Sequence, residues 1–261
     1  LGAGSPAAGT LRLLRAFRYT CRAVERALFL SGNEAIAAGA ARARVGFACA
    51  YPGTPSTEII EAIAAARELP AQWCIDEKVA METAIGAALA GSRSLVAMKH
   101  VGLNVAADPF MTLSLIGVNA GLVVVSADDP GMHSSQNEQD NRNYARFAKV
   151  PLLEPSDSQE AYDMVAEAFE LSERFDTPVL LRTTTRISHG RGRVLPRAAV
   201  AWQGRPFVRD IPKFVMVPQY ARERNRLVLQ RVGRLREMAE QTSLNSLEAG
   251  TTDFGIIASG A

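Results

Sequence analysis

Cysteine is scarce in this chain: three residues, Cys21, Cys49 and Cys74, occur in 261, and none stands in a CxxC spacing. An odd, scattered set of that kind excludes a disulfide framework and an iron–sulfur or zinc site built within the chain, and it points to a reducing cytoplasm. A surplus of charge is also lacking. The 29 basic and 27 acidic residues leave a formal charge of +2, without the clustered excess that nucleic-acid binding calls for. No apolar run approaches the roughly 20 residues that span a bilayer, so a soluble protein with no membrane partner is expected. The G-x-S-x-G elbow of hydrolases is missing. The acids Asp128, Asp129, Glu138 and Asp140 follow no metal-binding spacing, so no metal bound by this chain is expected.

What is present is an ordinary globular composition, 48% hydrophobic and 21% charged, enough to bury one substantial core. Residues 1–30 stand apart. "LRLLRAFRYTCRAVERALFL" is rich in arginine and poor in acids, as a transit peptide is; an amphipathic helix packed on a neighbour, or translated upstream sequence, explains it equally well.

From Ser31 onward, short β-type runs alternate with helical patterns, which predicts an α/β fold with a mostly parallel sheet and helices on both faces. Strands are expected at Val45 to Ala50, Gln72 to Ile75, Leu95 to Lys99, Leu122 to Ala127 and Val179 to Arg182. The "VVV" at 123–125 reads as a central strand buried on both faces. Helices are expected to start near Gly32, Pro55, Glu77 and Asn104, with a longer one after a Ser156/Gln159 capping box. Residues 187–216, rich in Gly, Arg and Pro, read as a linker, followed by a charged strut helix from about Pro218 to Gln241. The resulting division is 1–30 extension, 31–190 α/β domain, 191–250 linker and strut, and 251–261, "TTDFGIIASGA", the first strand of a second α/β domain.

Ligands of open α/β sheets gather at the carboxyl ends of the strands, and four unusual loops fall there. In "YPGTPSTE" (51–58), Thr54 is placed to cap the next helix with Pro55 at its first position, leaving N–H groups as a seat for an anion; a plain Thr-Pro cap is the alternative. In "DEKVA" (76–80), Asp76 is an N-cap and Glu77 a first-turn acid. On a helical wheel, however, Glu77 shares the stripe of Met81, Ala84 and Ala88. A carboxylate inside an apolar stripe needs a partner or a shifted protonation equilibrium, so a functional role stands beside the first-turn reading. In "MKHVGLNVAADP" (98–109), Lys99 and His100 sit at a strand end, His100 being either an acid–base group or a donor to a loop carbonyl. The polar "ADDPGMHSSQNEQDNR" (127–142) follows the most buried strand. Its His133 lies beside Ser134 and Ser135, but neighbours in sequence rarely have nucleophile–base geometry.

Several long blocks resemble one family. "LSGNEAIAAGA", "YPGTPSTEI", "DEKVAMETAIGAALAG", "MKHVGLNVAADP", "DDPGMHSSQNEQDNRNYARFAK", "LEPSDSQEA" and "FDTPVLLRTTTRISH" are similar to the alpha subunits of indolepyruvate ferredoxin oxidoreductases, among the thiamine-diphosphate-dependent 2-oxoacid:ferredoxin oxidoreductases. The resemblance implies that 31–190 is a pyrimidine-binding domain. It further implies that Glu77 hydrogen-bonds N1′ of the aminopyrimidine and activates the cofactor, and that Pro52, Gly53 and Lys99 line the cofactor. Thr54, His100 and His133 would face the substrate, and the activity would be oxidative decarboxylation of an arylpyruvate to an acyl-coenzyme A with reduction of ferredoxin. Mg2+ would be held by a diphosphate-binding domain beyond these residues, and [4Fe-4S] clusters by a cysteine-rich C-terminal part. The implied partners are a beta subunit, a second alpha subunit, ferredoxin, coenzyme A and the 2-oxoacid. A subunit acting on another 2-oxoacid, or a non-catalytic assembly module, are the alternatives; an acid kept within an apolar stripe argues against the last.

Overall fold

The computed structural model describes residues 26–251 and 253–260; the basic extension up to residue 25, with Cys21, lies outside the described residues. The chain runs β1 (Leu28–Ser31), α1 (Gly32–Arg42), β2 (Phe47–Ala50), α2 (Thr57–Ala66), β3 (Ala71–Trp73), α3 (Glu77–Leu89) and β4 (Ser94–Lys99). It continues through α4 (His100–Val105), α5 (Ala107–Ile116), β5 (Leu122–Asp128), α6 (Arg142–Ala148), β6 (Leu152–Leu153), α7 (Ser158–Phe175) and β7 (Val179–Thr184). The last elements are α8 (Thr185–His189), β8 (Arg191–Val194), α9 (Ile211–Phe214) and α10 (Pro218–Gln241).

Six strands form a sheet in the order β3-β2-β4-β5-β7-β6, and every pairing in it is parallel. The period of two decides which side chain enters which core. Leu95, Ala97, Val123, Val125, Val179 and Leu181 face one layer, with α1, α2 and α7. Val96, Met98, Leu122, Val124 and Leu180 face the other, with α3 and α5. Every residue of β4, β5 and β7 is buried, so these three read as near-continuous apolar runs. Each buried Val or Leu contributes about 1.5–3 kcal/mol. The alanine- and glycine-rich α1 packs very close to α7: a Cβ on Gly39 would stand 2.5 Å from the carbonyl of Tyr162.

Several expectations shift. The helix expected near Asn104 is two helices, α4 beginning directly at the end of β4 and α5 following Ala106. Pro109 in the first turn of α5 lacks an N–H, and its ring would meet the carbonyl of Val105, so one continuous helix is excluded. The box before α7 is shifted by one residue. Asp157 is the N-cap and accepts from the Glu160 N–H at 2.8 Å, while Glu160 reaches back to the N–H and hydroxyl of Ser156. Gln159 instead bonds Asp163 and the backbone of Leu195. β1 and β8 were not expected. They pair antiparallel across more than 150 residues of chain, a long-range pairing with no local signal, and β1 straddles the boundary drawn at residue 30. The expected strand at 251–261 is absent among the described residues 253–260; a strand needs a hydrogen-bonded neighbour, none pairs there, and Ile256 and Ile257 are exposed. Ile75, placed in a strand by its pattern, lies beyond β3 and is 82% exposed.

The strut helix spans the expected residues. Its inward stripe is Arg224, Val228 and Arg231. Arg224 donates to the carbonyls of Leu115 and Ile116, and Arg231 to that of Ser114. Those orphan carbonyls end α5, so α10 is fixed by arginines that cap a neighbouring helix. Cys49 and Cys74 are free and buried. No helix among the described residues is long and apolar enough to cross a membrane.

Candidate functional site

The carboxyl ends of β2, β3, β4 and β5 lead respectively into the turn 51–56, the start of α3, the β4–α4 junction and the loop 129–141. Asp76 is the N-cap of α3, accepting from the Val79 N–H at 2.7 Å. Glu77 follows in the first turn, one turn before the buried Met81. Burial pushes its carboxyl up from the ordinary glutamate value, the neighbouring Asp76 charge adds to this, and its own backbone N–H works the other way. No other hydrogen bond to that carboxylate is formed among the described residues. It rests on Gly102 of α4, where a Cβ would stand 2.5 Å from Glu77 Oε1. The neighbours of similar sequence behave differently: Lys78 pairs with Asp108 at 3.2 Å on the surface, and Glu82 is exposed.

The turn at 51–56 does not have the expected form. The Thr54–Pro55 peptide is cis and the helix starts at Thr57, with Ser56 at the cap position. Thr54 caps nothing. Thr57 Oγ1 accepts from the Gly53 N–H at 2.9 Å, and the Ser56 N–H and hydroxyl both donate to the Gly53 carbonyl at 2.8 Å. Side chains after the proline close the turn, and the Gly53 and Ser56 N–H groups are engaged within it. Pro52 and Thr54 are exposed, and Gly53 packs on the stem of Lys99, 3.1 Å from Lys99 Cβ to the place its own Cβ would take.

Lys99 and His100 are buried and both grip the polar loop. Lys99 Nζ donates to the Ser134 carbonyl at 2.7 Å. His100 Nε2 lies 3.1 Å from the Asn137 carbonyl, which makes it the donor and leaves Nδ1 buried without a partner. Of the two roles open for His100, the loop donor is the one its contacts display. The Asn141 amide closes the clasp, donating to the His100 carbonyl at 3.0 Å and to Ser126 Oγ at 2.8 Å. His133 is exposed, its ring 3.3 Å from the place a Cβ of Gly131 would take, and it is not gathered with Glu77.

The acids of the loop are organisers. Burial works to raise the Asp129 carboxyl, but hydrogen bonds from Ser135, the Ser134 N–H, Thr185 and the His133 N–H outweigh it and hold the group far below the carboxylate range. Asp128 is buried against Arg182, which also pairs with Glu154. Asp140 pairs with Arg142 and Glu138 accepts from the Gly131 N–H. No cluster of three metal-ligating side chains forms among the described residues. Sequence reasoning assigned no role to Asn141 and Gly102 and weighed Asp129 only as a metal ligand. The partners of Asp129 and Asn141 lie up to 56 residues away, and the contact of Gly102 with Glu77 crosses from one helix to another.

A doubly covered parallel sheet with polar groups converging at its strand ends defines a ligand-binding α/β domain of the open-sheet type. The family model for the pyruvate flavodoxin/ferredoxin oxidoreductase thiamine-diphosphate-binding domain matches residues 38–204, and the chain belongs to that family. The indolepyruvate oxidoreductase subunit IorA of Methanothermobacter marburgensis is 51% identical over 239 residues, covering 89% of this chain and 39% of the relative. The subunit of the same name from Pyrococcus abyssi is 48% identical over 247 residues, covering 90% and 38%. The chain thus spans about two fifths of the length of the curated relatives it matches. Among solved structures, a 2-oxoglutarate:ferredoxin oxidoreductase from Magnetococcus marinus matches with a TM-score of 0.66 at 16% identity, covering 81% of this chain and 45% of that one, a likeness of fold.

Proposed function

We propose that this chain is the pyrimidine-binding part, residues 31–190, of a 2-oxoacid:ferredoxin oxidoreductase alpha subunit, and that its substrate is an arylpyruvate of the indolepyruvate type. The single observation that carries the reading is Glu77: a half-buried carboxylate, raised in pKa by desolvation, with no side-chain partner, seated where a glycine leaves room for it. That arrangement fits thiamine diphosphate, whose aminopyrimidine offers a ring nitrogen able to share a proton with a carboxylate. Thiamine diphosphate supplies, when bound, the nucleophilic carbon needed to decarboxylate a 2-oxoacid. Glu77 holds a proton at the ring nitrogen through a charge-assisted hydrogen bond, strengthened by the partial burial of the carboxylate and by the lack of a competing side-chain partner. In this reading Gly53, Pro52 and the stem of Lys99 line the cofactor, and the free hydroxyl of Thr54 is a donor to the substrate. His100 and Lys99 act on the substrate through the 129–140 loop they hold, and His133 stands at its outer edge. The names of the relatives support indolepyruvate as substrate. Mg2+, [4Fe-4S] clusters, the beta subunit, a second alpha subunit, ferredoxin and coenzyme A belong to this same reading of the whole enzyme, in the cytoplasm.

The experiment is Glu77→Gln in the full-length enzyme with its partner subunit, assayed for indolepyruvate-dependent ferredoxin reduction. Turnover should fall by about 10²–10⁴-fold, the usual contribution of a positioned acid–base group. Turnover equal to the parent's would remove Glu77, and with it the thiamine reading, from consideration.

A further inference from the structure

Gly102 occupies the third position of α4, inside a helix, where glycine is ordinarily unfavourable relative to alanine. Its backbone gives no reason for that choice, because Gly102 is absent from the positive-φ glycines, which are Gly91, Gly117, Gly131 and Gly260. The reason is spatial. A Cβ built on Gly102 would meet Glu77 Oε1 at 2.5 Å, Cγ at 2.7 Å and Cδ at 2.9 Å, and these three nearest atoms all belong to the Glu77 side chain. Neither backbone nor core side chain is among them. The Met81, Ala84 and Ala88 stripe behind Glu77 is fully buried, so the carboxylate cannot retreat inward. A methyl group at 102 therefore leaves the fold intact and turns the carboxylate outward, toward solvent.

We propose that Gly102 is a positioning residue for Glu77: its missing side chain is the cradle that holds the carboxylate in place on α3 for the pyrimidine ring. The proposal rests on the thiamine reading above. It concerns a residue that acts through Glu77, and the other side of the same junction repeats the device, Gly53 lying on the stem of Lys99, three residues before Gly102.

The test is a double-mutant cycle in the full-length protein, read as the dissociation constant of thiamine diphosphate in the presence of Mg2+ by titration calorimetry, with the thermal midpoint of the cofactor-free protein alongside. Gly102→Ala should weaken binding about tenfold or more while the thermal midpoint stays level or rises. In a Glu77→Ala background the same change should alter affinity less than about twofold, since the coupling is then gone. Gly86→Ala on α3, where a Cβ meets nothing within 4 Å, is the control: affinity should match the parent while the thermal midpoint stays level or rises, as alanine favours the helix. Parent-like affinity in Gly102→Ala, an equal loss in the Glu77→Ala background, or a lowered thermal midpoint would each overturn the assignment of Gly102 while leaving the thiamine reading in place. Parent-like affinity in Glu77→Ala alone would overturn that reading itself.

Discussion

Lys99 Nζ donates to the carbonyl of Ser134 at 2.7 Å, while the Lys99 stem packs on Gly53. One buried cation thereby joins the turn at 51–56 to the loop at 129–140. Lys99→Met keeps the stem and removes the donor. It should cost about 1–2 kcal/mol in urea unfolding and speed amide exchange at Ser134, whose N–H is held by Asp129 at 2.8 Å. Unchanged exchange there would show that Asp129 alone orders the loop.

Glu77 should oppose stability in the cofactor-free protein. Its pKa is raised from 4.5 in the folded state, so the protonated form is favoured by folding. That contribution is complete below pH 4.5 and is lost as pH rises through the folded-state value. Glu77→Gln should therefore melt with the parent near pH 4 and above it at pH 7–8, by about 1–2 °C. Identical melting curves at pH 8 would mean the carboxylate is as well solvated as in the unfolded chain.

Thr54 has no structural work to do, because the turn is closed by Ser56 and Thr57. Thr54→Ala should leave the melting temperature unchanged and raise KM for the 2-oxoacid about 2- to 10-fold, the value of one hydrogen bond to substrate. A stability loss with KM unaltered would place the hydroxyl in the turn after all.

Arg93 is 2% exposed and makes a bidentate pair with Glu173, both contacts at 2.9 Å, with a further bond to the Ala43 carbonyl and Phe169 and Trp202 against its guanidinium. Arg93→Met leaves the Glu173 carboxylate with only Arg205 at 3.3 Å and the Gly121 N–H at 3.1 Å, and should cost about 3 kcal/mol in urea unfolding, the lower end for a broken buried pair. Burial works to raise Glu173, but the Arg93 pair outweighs it and lowers the folded-state pKa. The stability from this pair is present above pH 4.5 and is lost as pH falls through the lowered value, so parent and variant should converge in acid. A constant difference down to pH 3 would assign the effect to packing.

The parts legible in sequence are those whose signal is local. The apolar runs of β4, β5 and β7, the Asp76 cap, the apolar stripe around Glu77 and the limits of α10 follow from periodicity and capping chemistry within a dozen residues. One residue was enough to mislead where two similar caps compete: Ser156 and Asp157 both precede α7, and Asp157 holds the N–H because Glu160 answers Ser156 from the other side. The turn 51–56 was misread for a related reason, since Thr54, Ser56 and Thr57 all carry hydroxyls suited to it.

Period and composition over neighbouring residues suffice for the layered parallel sheet, the place of the strand-end loops and the presence of an acid on an apolar helix face. Folding in three dimensions sets the acid on Gly102, makes Lys99 and His100 clasps for a loop more than 30 residues away, and closes β1 against β8. Those outcomes depend on which surfaces meet in space, and a contact between distant residues leaves no period in the chain.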